Sequence, residues 1–282
     1  MRSVRLGAIL LGLAAAAPLG SCTPDARREG TSGGGAGSFV EDPAAVVDTR
    51  IGSANGGNTF PGAVVPFGMV QLSPETTRGD PTRRPAAGGY AWDAGRIRGF
   101  ALTHLSGTGC RGASGDVPLM PLVRGVTSSP SADTLDRIYT APISSHANET
   151  ARPGYYQVRF RSGLNAELTA TRRTGAARFT FPPGETATVL VRTSDSEVGS
   201  GDAYVAVDPA SRTVTGSVTS GNFCAYIEGI DSRSYYTLYF VAVFDRPFTS
   251  WGTWEDDVLR PGAATAEGGT GYGPEGVPTA GR

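Results

Sequence analysis

The densest chemistry in the chain lies in one glycine-rich turn. Thr103-His104 ends a run that reads as a strand, and Ser106-Gly107-Thr108-Gly109-Cys110 follows it. An imidazole, two hydroxyls and a thiol gathered at a strand end above a rigid sheet are the kind of group from which polar sites are built. The plainer alternative is a buried His104 hydrogen-bonded to the turn, with Gly107 and Gly109 serving only backbone angles. A second loop, Asp48 to Leu72, is rich in small and amide residues, and its glycines let backbone approach a neighbour or a ligand closely. Carboxylates form further groups. Asp195, Glu197 and Asp202 share a polar turn that either offers oxygen ligands to a cation or is simply solvated. Asp116 suits pinning of the glycine-rich loop through backbone hydrogen bonds. Glu149, near His146, is either an ion-pair partner or a group at a pocket rim. The two histidines, and the two cysteines other than Cys22, lie in separate segments, which argues against a metal site of the zinc type.

The elements that must carry these groups are strands. Tyr156, Val158 and Phe160 alternate with Gln157, Arg159 and Arg161, the period of a half-buried strand. Ala166, Leu168 and Ala170 repeat the pattern, as do Phe179 and Phe181 before Pro182-Pro183-Gly184 ends that run. Residues 187–192, 204–207, 213–219, 223–227 and 236–244 read the same way, and upstream so do 68–72, 97–102 and 117–123. Asp208-Pro209-Ala210-Ser211 predicts a hairpin turn. With Gly at 40 and Pro at 20, and with no long amphipathic run, the fold class is all-β, a large β-sandwich in preference to a barrel.

The N-terminus reads as an export leader over residues 1–21. Arg2 and Arg5 precede an apolar run, Leu6 to Ala17, too short to span a bilayer. Leu19-Gly20-Ser21-Cys22 then resembles a lipobox, in which cleavage before Cys22 frees its thiol for lipidation; an ordinary cleaved signal is the alternative. Two or more acyl chains hold a protein stably on a membrane, so the expected location is the outer side of a membrane. Residues 22–45 are a Gly/Ser-rich tether, 46–260 the folded domain, and 261–282 a linker or tail. Formal net charge is −1, every basic residue is arginine, and the folded part lacks a basic run, so no nucleic-acid partner is expected. Cys110 and Cys224 are equally suited to a disulfide or to buried thiols.

Several long strings resemble one family in family order. NGGNTFPGAVVPFGMVQLSPET, GFALTHLSGTGC, GDVPLMP, SHANETARPGYYQV and AELTATRRTGAARFTFP are similar to signatures of the N-terminal domain of glycoside hydrolase family 92, the calcium-dependent exo-acting α-mannosidases. VTSGNFC and LYFVAVFDRPF carry the resemblance to about residue 250. Such strings are far more specific than a short glycine motif. The resemblance implies a sandwich followed, in longer relatives, by an (α/α)6 barrel that supplies the acid and base carboxylates of an inverting reaction. It implies calcium bound mostly outside this chain, and no catalytic residue within it. It makes the sandwich one wall of a mannose pocket, with His104, Ser106, Thr108 and Cys110 as candidates for that wall and Asn58 and Phe60 on the neighbouring loop. Trp92 becomes a candidate for stacking on a sugar face or, equally, for packing at an interface. Mannose-containing glycans and the catalytic domain are then the partners. A free-standing surface lectin that binds mannosides without hydrolysis is the competing reading.

Overall fold

The computed structural model describes residues 2–5, 39–77, 86–107, 115–130, 140–196, 200–221 and 235–268. The regular structure there is almost entirely antiparallel strand. A first sheet has the order β1-β10-β9-β8-β7. Its members are β1 (Arg2–Arg5), β7 (Glu149–Arg152), β8 (Tyr155–Arg159), β9 (Asn165–Ala170) and β10 (Gly175–Phe181). A second sheet runs β11-β5-β4-β3-β2, with the short β6 (Ala141–Pro142) also on β4. It comprises β2 (Ala63–Val64), β3 (Gln71–Thr77), β4 (Arg96–Ala101), β5 (Leu119–Leu122) and β11 (Thr188–Val191).

The period-two pattern explains why these sheets stack. Tyr156, Val158, Ala166, Leu168, Ala177, Phe179 and Phe181 point from the first sheet into one core, where they meet Leu72, Ile97, Phe100, Met120 and Leu190 of the second. The Phe100 ring lies 6.0 Å from that of Phe179 and 6.3 Å from that of Phe160. Each fully buried side chain of this size stabilises the sandwich by about 1.5–3 kcal/mol. The polar residues between them, such as Arg159 and Arg178, stay exposed.

The second sheet is covered on more than one side. Val191 of β11 packs in a separate core with Val117 and with the inner face of a third sheet, β14-β13-β12-β17. This sheet holds β12 (Ala203–Asp208), β13 (Thr213–Gly221), β14 (Tyr235–Val243) and β17 (Thr265–Gly268). Two stacked sheets are thus joined by a third layer, which period two alone does not distinguish. The β12–β13 hairpin forms where the turn residues place it: Asp208 Oδ1 accepts from the backbone N–H of Ala210 at 2.9 Å and of Ser211 at 3.3 Å.

A small hairpin, β15 (Gly252–Glu255) with β16 (Val258–Pro261), precedes β17. The folded part therefore passes residue 261, where the sequence reading starts a linker or tail. β17 is held by main-chain pairing to β12, with Ala266 its buried residue. A strand built on so little apolar surface leaves no periodic signal. The strand expected over 223–227 lies outside the described residues.

Candidate functional site

Three loops meet over β3, and backbone hydrogen bonds join them. The Gly107 N–H donates to the Asn58 carbonyl at 2.8 Å, the Trp92 N–H to the Ser53 carbonyl at 2.9 Å, and the Thr76 N–H to the Gly89 carbonyl at 2.8 Å. Two glycines make this approach possible. A Cβ on Gly88 would stand 2.4 Å from the Asn58 carbonyl oxygen. Gly89 sits at φ +84°, and a Cβ there would meet Glu75 Oε1 at 2.5 Å and His104 Cδ2 at 2.8 Å. The segments around residues 58, 90 and 105 thereby become one surface on a rigid sheet.

His104 is the pin beneath that surface. Its Nδ1 lies 2.8 Å from the Gln71 carbonyl and its backbone N–H donates to Gln71 Oε1 at 3.1 Å. Nε2 faces Glu75 Oε1 at 2.9 Å, with both side chains fully buried. That pair is close in distance but poorly directed, for neither Glu75 oxygen nor His104 Nε2 has a hydrogen bond of good geometry. The Phe60 ring tilts against the imidazole at 4.9 Å. The expectation that His104 itself faces a pocket is corrected here. At 2 % exposure it is sealed by Gly89 and bonded to β3 rather than to the turn that follows it.

The other candidates divide. Asn58 is half-buried at φ 52°, Phe60 is half-buried, and Ser106 is exposed beside the Asn58–Gly107 link. Thr108 and Cys110 lie outside the described residues, as do Cys22, Cys224 and Glu197. Among the described residues, the Asp116 carboxylate is held by side-chain donors. Thr103 Oγ1 donates to Asp116 Oδ2 at 2.7 Å, and the Tyr236 hydroxyl donates to the same oxygen. Burial first, and then the Asp116 carboxylate, push the Tyr236 phenol well up.

Trp92 is half-buried, and one face of its indole is stacked on His146 at 3.7 Å with 17° between the rings. The Arg50 guanidinium, held by Asp48 at 2.9 Å, lies 5.8 Å from the indole centre. Under this stack sits Glu149, its side chain wholly buried. It accepts from the Tyr90 hydroxyl at 2.7 Å and the Tyr156 hydroxyl at 3.0 Å, and it lies 3.2 Å from His146 Nδ1. Burial, and then the carboxylate beside them, push both phenols well above their ordinary range. Glu149 is thus a hub under the surface rather than a rim group. The sequence reading misses Gln71, Glu75 and Tyr90. The signal for the first two was a polar face, Gln71-Ser73-Glu75, on a strand whose neighbours are apolar.

Asp195 sits between two buried guanidiniums, 2.5 Å from Arg98 Nη2 and 3.0 Å from Arg192 Nη1. Burial raises its carboxyl, and the charges of Arg98 and then Arg192 overcome that and hold it at about 2. A depressed carboxylate adds stability above its ordinary pKa of about 4 and loses it as pH falls toward the folded value. Thermal melts between pH 5 and pH 2 should show this acid-side loss, reduced in Asp195→Asn; equal slopes in both proteins would contradict the assignment. Asp195 is therefore ion-paired, Asp202 is exposed, and Glu197 lies outside the described residues. Among the described residues, no three His, Cys, Asp or Glu side chains gather as metal ligands.

The model of the glycosyl hydrolase family 92 N-terminal domain matches residues 46–275. Among solved structures the chain is similar to a family 92 glycosyl hydrolase (TM-score 0.66, 28% identity), covering 80% of this chain and 29% of that one. A family 92 α-mannosidase of Bacteroides thetaiotaomicron gives TM-score 0.66 at 27% identity, with 80% and 30% covered. An inverting mannosidase of the same organism gives 0.57 at 28%, with 75% and 25% covered. Among curated proteins, an uncharacterized secreted glycosidase of Arthroderma benhamiae is 28% identical over 173 residues, 57% of this chain and 21% of that protein. The chain thus spans less than a third of the relatives it matches. With the sandwich, the sutured loops and a family model over most of its length in agreement, the chain belongs to glycosyl hydrolase family 92 and carries that family's N-terminal domain.

Proposed function

We propose that this domain forms one wall of a mannoside pocket, completed by a catalytic domain that holds the acid and base. The observation that carries this reading is the convergence of three sequence-distant loops into one fixed surface bearing Trp92, Asn58, Phe60 and Ser106. A flat indole suits the apolar side of a pyranose, and amide and hydroxyl groups around it supply polar contacts. The same loops also expose Ile51, Phe67, Met69 and Leu105, at 76, 106, 63 and 47 %. Apolar side chains so exposed on ordered loops suit a surface that another domain covers.

Hydrolysis of terminal α-mannosides belongs, in this reading, to the assembled enzyme. In an inverting reaction a protonated carboxyl gives its proton to the leaving oxygen while an opposed carboxylate activates water. Neither role is assigned to a carboxylate here. Glu75 and Glu149 are sealed under the loops, and Asp195 is tied to two arginines. The chain alone should release no p-nitrophenol from p-nitrophenyl α-mannoside, with or without added calcium. A rate that persists through purification would overturn the assignment.

Residues 1–21 act as an export leader and Cys22 as the lipidated residue, which places the domain outside the membrane. The fungal relative described as secreted supports export. Cleavage before Cys22 removes β1 and leaves β10 as the edge of its sheet. Since the relatives compared are described as glycosidases or mannosidases, the lectin reading gains no support from them.

A further inference from the structure

Trp92 rests on an imidazole. The imidazole of His146 covers one indole face at 3.7 Å, and its Nδ1 lies 3.2 Å from Glu149 Oε2 and 3.3 Å from the Tyr90 hydroxyl. His146 is part-exposed, at 25 % of its side chain, while the Glu149 side chain is fully buried. The 3-10 turn His146–Asn148 that carries the imidazole is capped by Ser145, whose side chain accepts from the Ala147 N–H, and it runs directly into β7. The charged and titratable groups around the imidazole come from four elements. They are Glu149 on its own segment, with Tyr156 of β8 behind it; Tyr90 on the loop that bears Trp92; and Arg50, paired with Asp48, over the indole. Only the histidine in this set has an ordinary titration range between about pH 5 and 8.

We propose that His146 is a positioning residue for the Trp92 platform, and that its protonation tunes how firmly the platform is held for sugar. The inference rests on the reading of Trp92 as the sugar-stacking surface. An imidazolium adds a cation against the indole face and a full ion pair with Glu149. A neutral imidazole keeps only the ring contact and, at most, one hydrogen bond to the carboxylate. The sign follows. The extra holding belongs to the imidazolium, so it is present at low pH and lost as pH rises and the ring becomes neutral. Mannoside affinity should therefore fall by about threefold from pH 5 to pH 8, the size expected for one cation–π contact at a part-exposed site.

Indole emission reads this coupling without any sugar, since a protonated imidazole stacked on an indole quenches it. The full chain is titrated from pH 5 to pH 8 with Trp92→Phe as the blank for Trp251 and Trp254. Emission should rise with pH in one sigmoidal step, and that step should be absent both in Trp92→Phe and in His146→Phe, which keeps a ring but cannot titrate. If His146→Phe fails to fold by circular dichroism, His146→Gln answers the same question. Methyl α-mannoside affinity should follow the same midpoint and become independent of pH in the variant. A flat trace in the unaltered chain, or a step that survives replacement of His146, overturns the inference. A fluorescence step with no mannoside binding at any pH overturns the platform reading and the tuning with it.

Discussion

His104→Ala should destabilise the domain by about 3–5 kcal/mol, the usual cost of removing one partner from a buried ionisable pair. The loss has two sources. Glu75 would keep its carboxyl in a fully buried site with its nearest partner gone. The Gln71 carbonyl and side chain would lose the imidazole and a backbone contact now set by its position. Glu75→Gln with His104 intact should cost less, because a neutral amide needs no counter-charge. Chemical denaturation of the two variants checks the order. If His104→Ala melts within about 1 kcal/mol of the unaltered protein, the pin under the loops is not His104 and the account of the surface fails there.

Glu149→Ala should cost about 3 kcal/mol. It strips two buried phenols, Tyr90 and Tyr156, of their acceptor, and each unsatisfied buried hydroxyl costs roughly 1–3 kcal/mol. The triple change Glu149→Leu, Tyr90→Phe, Tyr156→Phe should recover much of that loss, because removing both partners leaves nothing polar unpaired. Urea unfolding of the single and triple variants decides it. A triple variant less stable than Glu149→Ala would show that the carboxylate acts through something other than these hydroxyls. Glu149→Gln, which keeps one acceptor oxygen, should fall between.

These two hubs mark where sequence reading stops. The strands β4, β5 and β8 to β14 were legible because alternation and turn residues are local signals, and Asp208-Pro209-Ala210-Ser211 names its own hairpin. The loops around residues 58 and 105 were legible as dense polar stretches, and the family strings gave their company, while the loop around residue 90 was singled out only for Trp92. What the hubs bond was not legible. His104 could be read as pocket wall or as buried pin, and only the distance to Glu75, 29 residues earlier in the chain, settles that. Tyr90 and Tyr156 meet at Glu149 through contacts spanning 59 and 7 residues. No periodicity reports such pairings, because they are set by strand register within a sheet and by the loop that folds over it. β17 escaped notice for the opposite reason, since it is held by backbone with little side-chain burial.

The central claim, that this domain presents a mannose-facing surface built around Trp92, is tested most directly by titrating the full chain with methyl α-mannoside and following indole emission. The account predicts a saturable change with a dissociation constant of about 1–10 mM, the range in which one sugar ring on part of a pocket is held. It predicts that the change is lost in Trp92→Phe, with the fold intact by circular dichroism. Emission that stays constant to 100-fold that range, roughly 1 M sugar, or a change that survives in Trp92→Phe, would contradict it.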